Sequence, residues 1–392
     1  MNRRHLLKGL IALPALAYAS QLLALPNQQK KCLFVFLRGG YDAANLLIPY
    51  KSTFYYEARP SIAIKSANSV DGLHLDSSWA LHPALKNSVF PLFQKNQAAF
   101  IPFAGTDDMS RSHFETQDSI EMGQHVASAR DFQSGFLNRL AVELSNGKPI
   151  AFTDKTPLIM RGELDIPNVR LQNLKNAGIS AEQVKKINAM YANTSLAGTV
   201  KQGFDVKEQA MQDLQMEMDK ASRDAISTKG FEAEAARVAR LMREDYSLGF
   251  IDVGGWDTHV GQGAETGNLA NKLEELGRGL ASFAAGMQDV WKDTLVIVVS
   301  EFGRTFRENG NKGTDHGHGS VYWVLGGAIN GGKVYGEQVP VDAKHLNQNR
   351  DFPVLNNYRD ILGGMFARHF NLSNEQVMRV FPEATIKDLG IV

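Results

Sequence analysis

The chain has 392 residues, 43% of them hydrophobic, and 42 basic side chains balance 42 acidic ones. That apolar share is enough to bury a large core and excludes an intrinsically disordered chain. A formal charge of zero with no long run of one sign gives no expectation of nucleic acid or an anionic membrane surface as partner and favours a small or weakly charged one.

The chain opens on MNRRHLLKGLIALPALAYASQLLALPNQQKK. Arg3, Arg4 and Lys8 form a basic head, an apolar stretch runs from about Leu10 to Leu25, and polar residues follow. This is the plan of an export signal, and Arg3-Arg4 ahead of His5-Leu6-Leu7-Lys8 resembles the twin-arginine type. Ala17-Tyr18-Ala19 offers a cleavage site, with Ala24 as a later one. Pro14 interrupts a stretch that is barely long enough to span a bilayer. The expectation is therefore removal of residues 1–24, no stable membrane anchor afterwards, and a periplasmic or secreted protein carried by the twin-arginine export machinery. Cys32 is the sole cysteine, so no intrachain disulfide forms, and its place at the start of an apolar run reads as a small strand residue.

Short, β-rich apolar runs bounded by Gly, Pro or Asp read as buried strands: CLFVFL from Cys32, AAFIPFAG from Ala98, LGFIDVGG from Leu248, TLVIVVS from Thr294 and VYWVLGG from Val321. They lack alternation, the mark of strands covered on both faces. Helical patterns lie between them, as where Leu269, Leu273, Leu276, Leu280 and Phe283 share one face. The expectation is an α/β fold, a three-layer α/β/α sandwich with a mainly parallel sheet. Residues 25–392 then form one domain, with a charged, alanine- and methionine-rich helical insertion over about 179–244, where Phe231, Ala235, Val238 and Met242 form a buried stripe.

Ligands of such sheets gather beyond the carboxyl ends of the strands, and four strand ends here release polar groups. The first is followed by RGGYDAAN, with Asp42 and Asn45. After the second comes TDDMSRSHFETQDSIEMG, with Ser110, Ser112 and His113 entering a helix. GGWDTH follows the third, with Asp257 and His259, while Asp252 stays inside the strand. SEFGRT follows the fourth, with Glu301 and Arg304, and then Thr314, Asp315, His316 and His318. Asp, Glu and His without Cys suit one or two divalent ions, Zn²⁺, Mn²⁺, Mg²⁺ or Ca²⁺. Such a site polarises a phosphoryl or sulfuryl oxygen and activates a water or a serine hydroxyl. Ser112 is either that hydroxyl or a helix cap, and Arg304 either clamps an anionic substrate group or pairs with Glu301 or a nearby aspartate.

The motifs SRSHFETQD, GGWDTH, SEFGRT, NGNKGTDHGHGS with VLGGAINGG, and RGGYDAAN behind the leader together resemble the exported family called domain of unknown function 1501. That family is in turn similar to the alkaline phosphatase and sulfatase superfamily. The resemblance implies the same α/β/α sandwich and hydrolysis or transfer of phosphate or sulfate esters at a one- or two-metal site. It implies Asp42, Asp257, His259, Glu301 and His316 as metal-holding residues, with His318 as a substitute for His316, and Ser112 as nucleophile. Phe302, which cannot bind a metal, stands where the superfamily has a histidine. No C/S-x-P-x-R context is present, which disfavours a formylglycine-dependent sulfatase. The expected function is an exported metal-dependent hydrolase of phosphate or sulfate esters, taking a small or polymeric anionic ester of envelope or extracellular glycans or lipids. The alternative is a non-catalytic binding or assembly protein on the same scaffold.

Overall fold

The computed structural model describes residues 30–153, 155–169 and 230–392, with a few positions between 186 and 198. The leader and most of the helical insertion lie outside the described residues. In chain order the elements are β1 (Lys31–Leu37), α1 (Ala43–Leu46), β2 (Leu47–Ile48), α2 (Thr53–Ala58), β3 (Leu73–His74), β4 (Ala80–Leu81), α3 (Val89–Gln94) and β5 (Ala98–Gly105). There follow α4 (His113–Met122), α5 (Phe136–Glu143), β6 (Pro149–Ala151), α6 (Phe231–Glu244), β7 (Leu248–Val253), α7 (Asn268–Met287), β8 (Thr294–Ser300), β9 (Ser320–Gly326), β10 (Asn356–Asn357), α8 (Tyr358–Phe370) and α9 (Asn374–Val380).

Seven strands form the main sheet in the order β10-β5-β9-β8-β1-β7-β6, and β2-β4-β3 make a small antiparallel sheet. β1 lies parallel between β7 and β8, with Phe34 opposite Phe250 on one side and Ile297 on the other. Its side chains divide by parity, as a pleated strand requires. Leu33, Val35 and Leu37 enter one core together with Leu269, Leu273 and Val238 of α7 and α6. Cys32, Phe34 and Phe36 enter the other with Phe136, Leu140, Ile361 and Leu362 of α5 and α8. Two cores on one sheet explain the unbroken apolarity of the strands, and the protein is the expected α/β/α sandwich. Burial pushes the Cys32 thiol pKa up, which keeps it protonated and unreactive.

One strand departs from parallel. β9 runs antiparallel to both β8 and β5. Its amino end therefore lies at the edge where β8 ends, so the whole of Glu301–Gly319 leaves and re-enters the sheet at a single rim. Apolar periodicity fixes which residues are strand but carries no sign for direction, so this reversal is not visible in the sequence. Among the described residues no helix is long and apolar enough to cross a membrane.

A buried ion pair ties the first strand end to the rim. Asp42 and Arg59 are both fully buried, and Arg59 Nη1 lies 2.5 Å from Asp42 Oδ2. The guanidinium also donates to Asn45 Oδ1 at 3.0 Å, to the Phe306 carbonyl at 2.6 Å and to the Thr305 carbonyl at 3.1 Å. Removing one partner of such a pair strands a charge in the core. Arg59→Met is therefore expected to lower the unfolding free energy by about 3–5 kcal/mol in urea titration; a loss under about 1 kcal/mol would show that Asp42 is not held as a charged partner.

Candidate metal centre

Three histidines and one aspartate meet beyond the carboxyl ends of β5, β7 and β8. His113 opens α4, Asp257 and His259 follow β7, and His316 lies in the β8–β9 connection. The Nε2 atoms of His113 and His316 are 3.0 Å apart, and those of His259 and His316 are 3.2 Å apart. Asp257 lies among them: Oδ2 is 3.5 Å from His113 Nε2, and Oδ1 is 3.4 Å from His316 Nε2 and 2.9 Å from His259 Nε2. One ligand atom each of His113, Asp257 and His316 falls within 4.8 Å of the others.

The outer nitrogen of each ring decides what the inner one can do. His113 Nδ1 lies 2.8 Å from Glu301 Oε1, His259 Nδ1 lies 3.2 Å from Asp315 Oδ1, and His316 Nδ1 lies 3.0 Å from the Arg111 carbonyl. Carboxylates and a carbonyl only accept, so each Nδ1 donates, and wherever the ring is neutral its Nε2 is left as a lone pair facing the cluster. Lone pairs facing one another and a carboxylate at 2.9–3.5 Å repel, and a cation among them would remove the conflict. Ligand atoms on a tetrahedral ion with bonds of 2.0–2.1 Å stand about 3.3 Å apart, matching the separations here. The donor set thus fits a divalent metal.

Electrostatics prepare the acids for that role. Burial works to raise the Asp257 pKa, but the Arg304 hydrogen bond and charge, aided by His259 and His113, overrule it and hold the carboxyl below its ordinary value. Glu301 behaves alike: burial opposes ionisation, and hydrogen bonds from His113 and Gln117 and the Gly39 amide outweigh it. For Asp315, burial is overcome by Asn309 and His259. Burial first, then the His113 and Arg304 charges, lowers His316 and favours its neutral form. The Glu301 hydrogen bond raises His113 against burial, so a proton competes with a cation at that ring.

The backbone is shaped to bring these groups together. Gly39, at φ 123°, lies against the chain at Asp257: a Cβ there would come within 2.7 Å of the Asp257 amide nitrogen. Arg111 has a left-handed φ of 54°, unusual for a residue with a Cβ. Its guanidinium is anchored on Asp351 at 3.0 Å, and its turned carbonyl is the acceptor for His316. Strain of this kind, about 1–3 kcal/mol, persists where the surroundings over-determine it.

The candidate residues divide by role. Asp257, His259 and His316 take part in the convergence. Glu301 lies one step out, holding His113, and Gln117 joins it at 2.9 Å while also accepting from Arg38 at 2.9 Å. Arg304 is buried and fully engaged: Nη1 reaches Asp257 Oδ1 at 2.6 Å, Nε reaches Thr314 Oγ1 at 3.2 Å, and Nη2 donates to the Thr314 carbonyl. It orients the aspartate, the ion-pair alternative. Asp42 stands behind the rim, linked to it through Gln262, which donates to Asp42 at 2.6 Å and accepts from Thr314 at 3.2 Å. Asp252 pairs with Arg38 at 2.7 Å, and His318 is buried against the Thr106 carbonyl. Ser112 is the N-cap of α4, yet its side chain makes no capping hydrogen bond. His113, one of the three residues that could hold an ion, is absent from the set implied by the resemblance; its signal in the sequence is its place beside Ser112 at a strand end.

The family described as "Protein of unknown function (DUF1501)" matches residues 29–381, and the chain belongs to it. No curated protein matches the chain. Among solved structures it is similar to Ps i-CgsB in complex with k-i-k-neocarrahexaose, at 10% identity and TM-score 0.36, covering 89% of this chain and 74% of that one. It is similar to a protein in the alkaline phosphatase superfamily from Vibrio parahaemolyticus, at 12% identity and TM-score 0.36, covering 87% and 66%. The C-terminal periplasmic domain of EcEptC from Escherichia coli, in complex with Zn, is similar at 8% identity and TM-score 0.32, covering 76% and 73%. These likenesses are distant, and the chemistry below rests on this chain's own residues.

Calorimetric titration of metal-free protein with Zn²⁺ is expected to show His316→Ala abolishing the site. Glu301→Gln should weaken it by about 10–100-fold, through His113, and Asp42→Asn should leave the stoichiometry unchanged. Loss of the ion in Asp42→Asn alone would move the centre to the first strand end.

Proposed function

We propose that this DUF1501 protein is an exported, metal-dependent hydrolase of phosphate or sulfate esters. The observation that carries the reading is the convergence of the His113, His259 and His316 Nε2 atoms with the Asp257 carboxylate; the residue before His113 is Ser112, whose side chain does not cap its helix. His113, Asp257 and His316 would hold the ion, with His259 at their open side. A divalent cation bound there supplies Lewis-acid polarisation of an ester oxygen.

The chain's own groups do the rest. Ser112 adjoins the ligand His113 at the start of a ten-residue helix. In this reading its oxygen bonds to phosphorus or sulfur as the bond to the ester's alkoxide breaks, the serine proton leaves with the alcohol, and water then cleaves the seryl ester to free the acid and restore the hydroxyl. The free amides of the first turn of α4 favour negative charge on the ester oxygens. Arg304 fixes the Asp257 carboxylate, and Glu301 and Asp315 fix the rings of His113 and His259, so the constellation is preorganised. The Asp257 and His259 side chains keep 41% and 40% of their surface exposed, which leaves the centre open to an incoming ester. The basic head and apolar stretch of residues 1–24 support export.

A panel of nitrophenyl phosphate mono- and diesters and sulfates tests the reading. Turnover by the Zn²⁺- or Mn²⁺-loaded protein should fall at least about 100-fold in Ser112→Ala. Turnover unchanged in that variant would pass the nucleophile's role to water, and no turnover of any ester by the loaded protein would remove the hydrolase.

A further inference from the structure

We infer that Gln117 is a positioning residue of the metal centre, its amide standing between the Arg38 guanidinium and the Glu301 carboxylate so that Glu301 Oε1 is reserved for the His113 ring. The inference rests on the metal-centre reading and adds how the outer partner of one ligand is held. Leu37 lies beside Ser300 in the sheet, so Arg38 and Glu301 follow at the carboxyl ends of neighbouring parallel strands. Opposite charges placed in this way attract into a direct pair. Here they do not pair. Arg38 donates through Nε to Asp252 at 2.7 Å, and through Nη1 to Glu121 at 2.8 Å and Gln117 at 2.9 Å; among the described residues no ion pair joins it to Glu301.

Helix spacing builds the bridge. His113, Gln117 and Glu121 recur at every fourth position of α4 and so share one face. That face meets both strand ends: His113 and Gln117 reach Glu301, and Gln117 and Glu121 reach Arg38. The guanidinium is held in place, because Glu121 Oε2 accepts from the Ile159 amide at 3.0 Å and the Phe36 ring lies 4.9 Å beneath it. A guanidinium only donates and a carboxylate only accepts, so Gln117 turns its carbonyl oxygen to Arg38 and its NH₂ to Glu301 Oε1, 2.9 Å away. No other orientation of the amide satisfies both neighbours. The same oxygen accepts from the Gly39 amide at 2.7 Å and faces His113 Nδ1 at 2.8 Å. Glu301 is 1% exposed, and a buried carboxylate deprived of a donor is drawn to the cation at the adjoining strand end. Without the Gln117 amide, Glu301 therefore turns towards Arg38, and His113 loses the acceptor that sets its ring.

Calorimetry with Zn²⁺ and long-range nitrogen–proton spectra of the imidazoles test this without any turnover, so failure of the hydrolase reading is seen separately on the ester panel. Gln117→Met keeps the length of the side chain and removes both hydrogen bonds. Its Zn²⁺ affinity is expected to fall about 10–100-fold with the stoichiometry kept. In metal-free wild type the spectra should place a His113 ring proton on Nδ1; in Gln117→Met that proton should divide between the two ring nitrogens, a change that lost helix packing alone does not produce. Gln117→Asn, one methylene too short to span Arg38 and Glu301, should lose affinity alike, and it carries the test should the methionine variant fail to fold. Unchanged Zn²⁺ affinity in a folded variant, or a His113 Nδ1 proton undisturbed in it, would overturn the inference while leaving the metal centre standing. No Zn²⁺ bound by wild type would remove the metal centre and this inference with it.

Discussion

The crowding of the His113 and His259 Nε2 atoms against that of His316, with the Asp257 carboxylate among them, is the constraint on which this molecule's rim is organised. The three Nδ1 protons are fixed by Glu301, Asp315 and the Arg111 carbonyl, so the rings cannot relieve their mutual repulsion by exchanging tautomers. Asp257 adds a carboxylate that Arg304 keeps ionised. A cation held by His113, His316 and Asp257 would satisfy three of these groups at once. The outer partners that would be superfluous in a simple polar loop are what give the inner atoms their ligand character.

The fold makes this arrangement accessible in a specific way. Parallel β1, β7 and β8 deliver Gly39, Asp257 and Glu301 to one edge in register, since Leu37 lies beside both Val253 and Ser300. The reversed β9 brings the same loop back to that edge, and with it Arg304, Thr314 and His316. Behind the rim, the polar chain from Arg59 and Asp42 through Gln262 and Thr314 to Arg304 ties the centre to the protein's interior. Rigidity at the ligands therefore comes from buried charge pairs as well as from the strands.

Much of this was legible in the residues. The apolar runs gave the strands, and their lack of alternation gave the two covered faces that Phe34 and Val35 occupy. The polar residues following the strands led to Asp257, His259 and His316. Three features were hidden, each for a physical reason. Strand direction leaves no mark in periodicity, so a mainly parallel sheet could be expected without telling which strand, β9, runs the other way. Which partner an acid meets is decided by the folded chain: Asp42 meets Arg59, seventeen residues on, while Glu301 meets His113, 188 residues away. His113 is one residue from Ser112, and its place in the cluster follows from the fold, which sets its Nε2 3.0 Å from that of His316. Phe302, whose ring offers a metal no donor atom, packs 4.9 Å from the His113 ring and 5.1 Å from the His316 ring, so it buttresses the imidazoles.

The most direct test is anomalous diffraction at the zinc edge from crystals of the mature protein grown with Zn²⁺. The account predicts a peak bounded by His113 Nε2, His316 Nε2 and the Asp257 carboxylate, with Glu301 still on His113 Nδ1. A peak beside Asp42 instead, or three imidazoles turned away from one another with no ion among them, would contradict it.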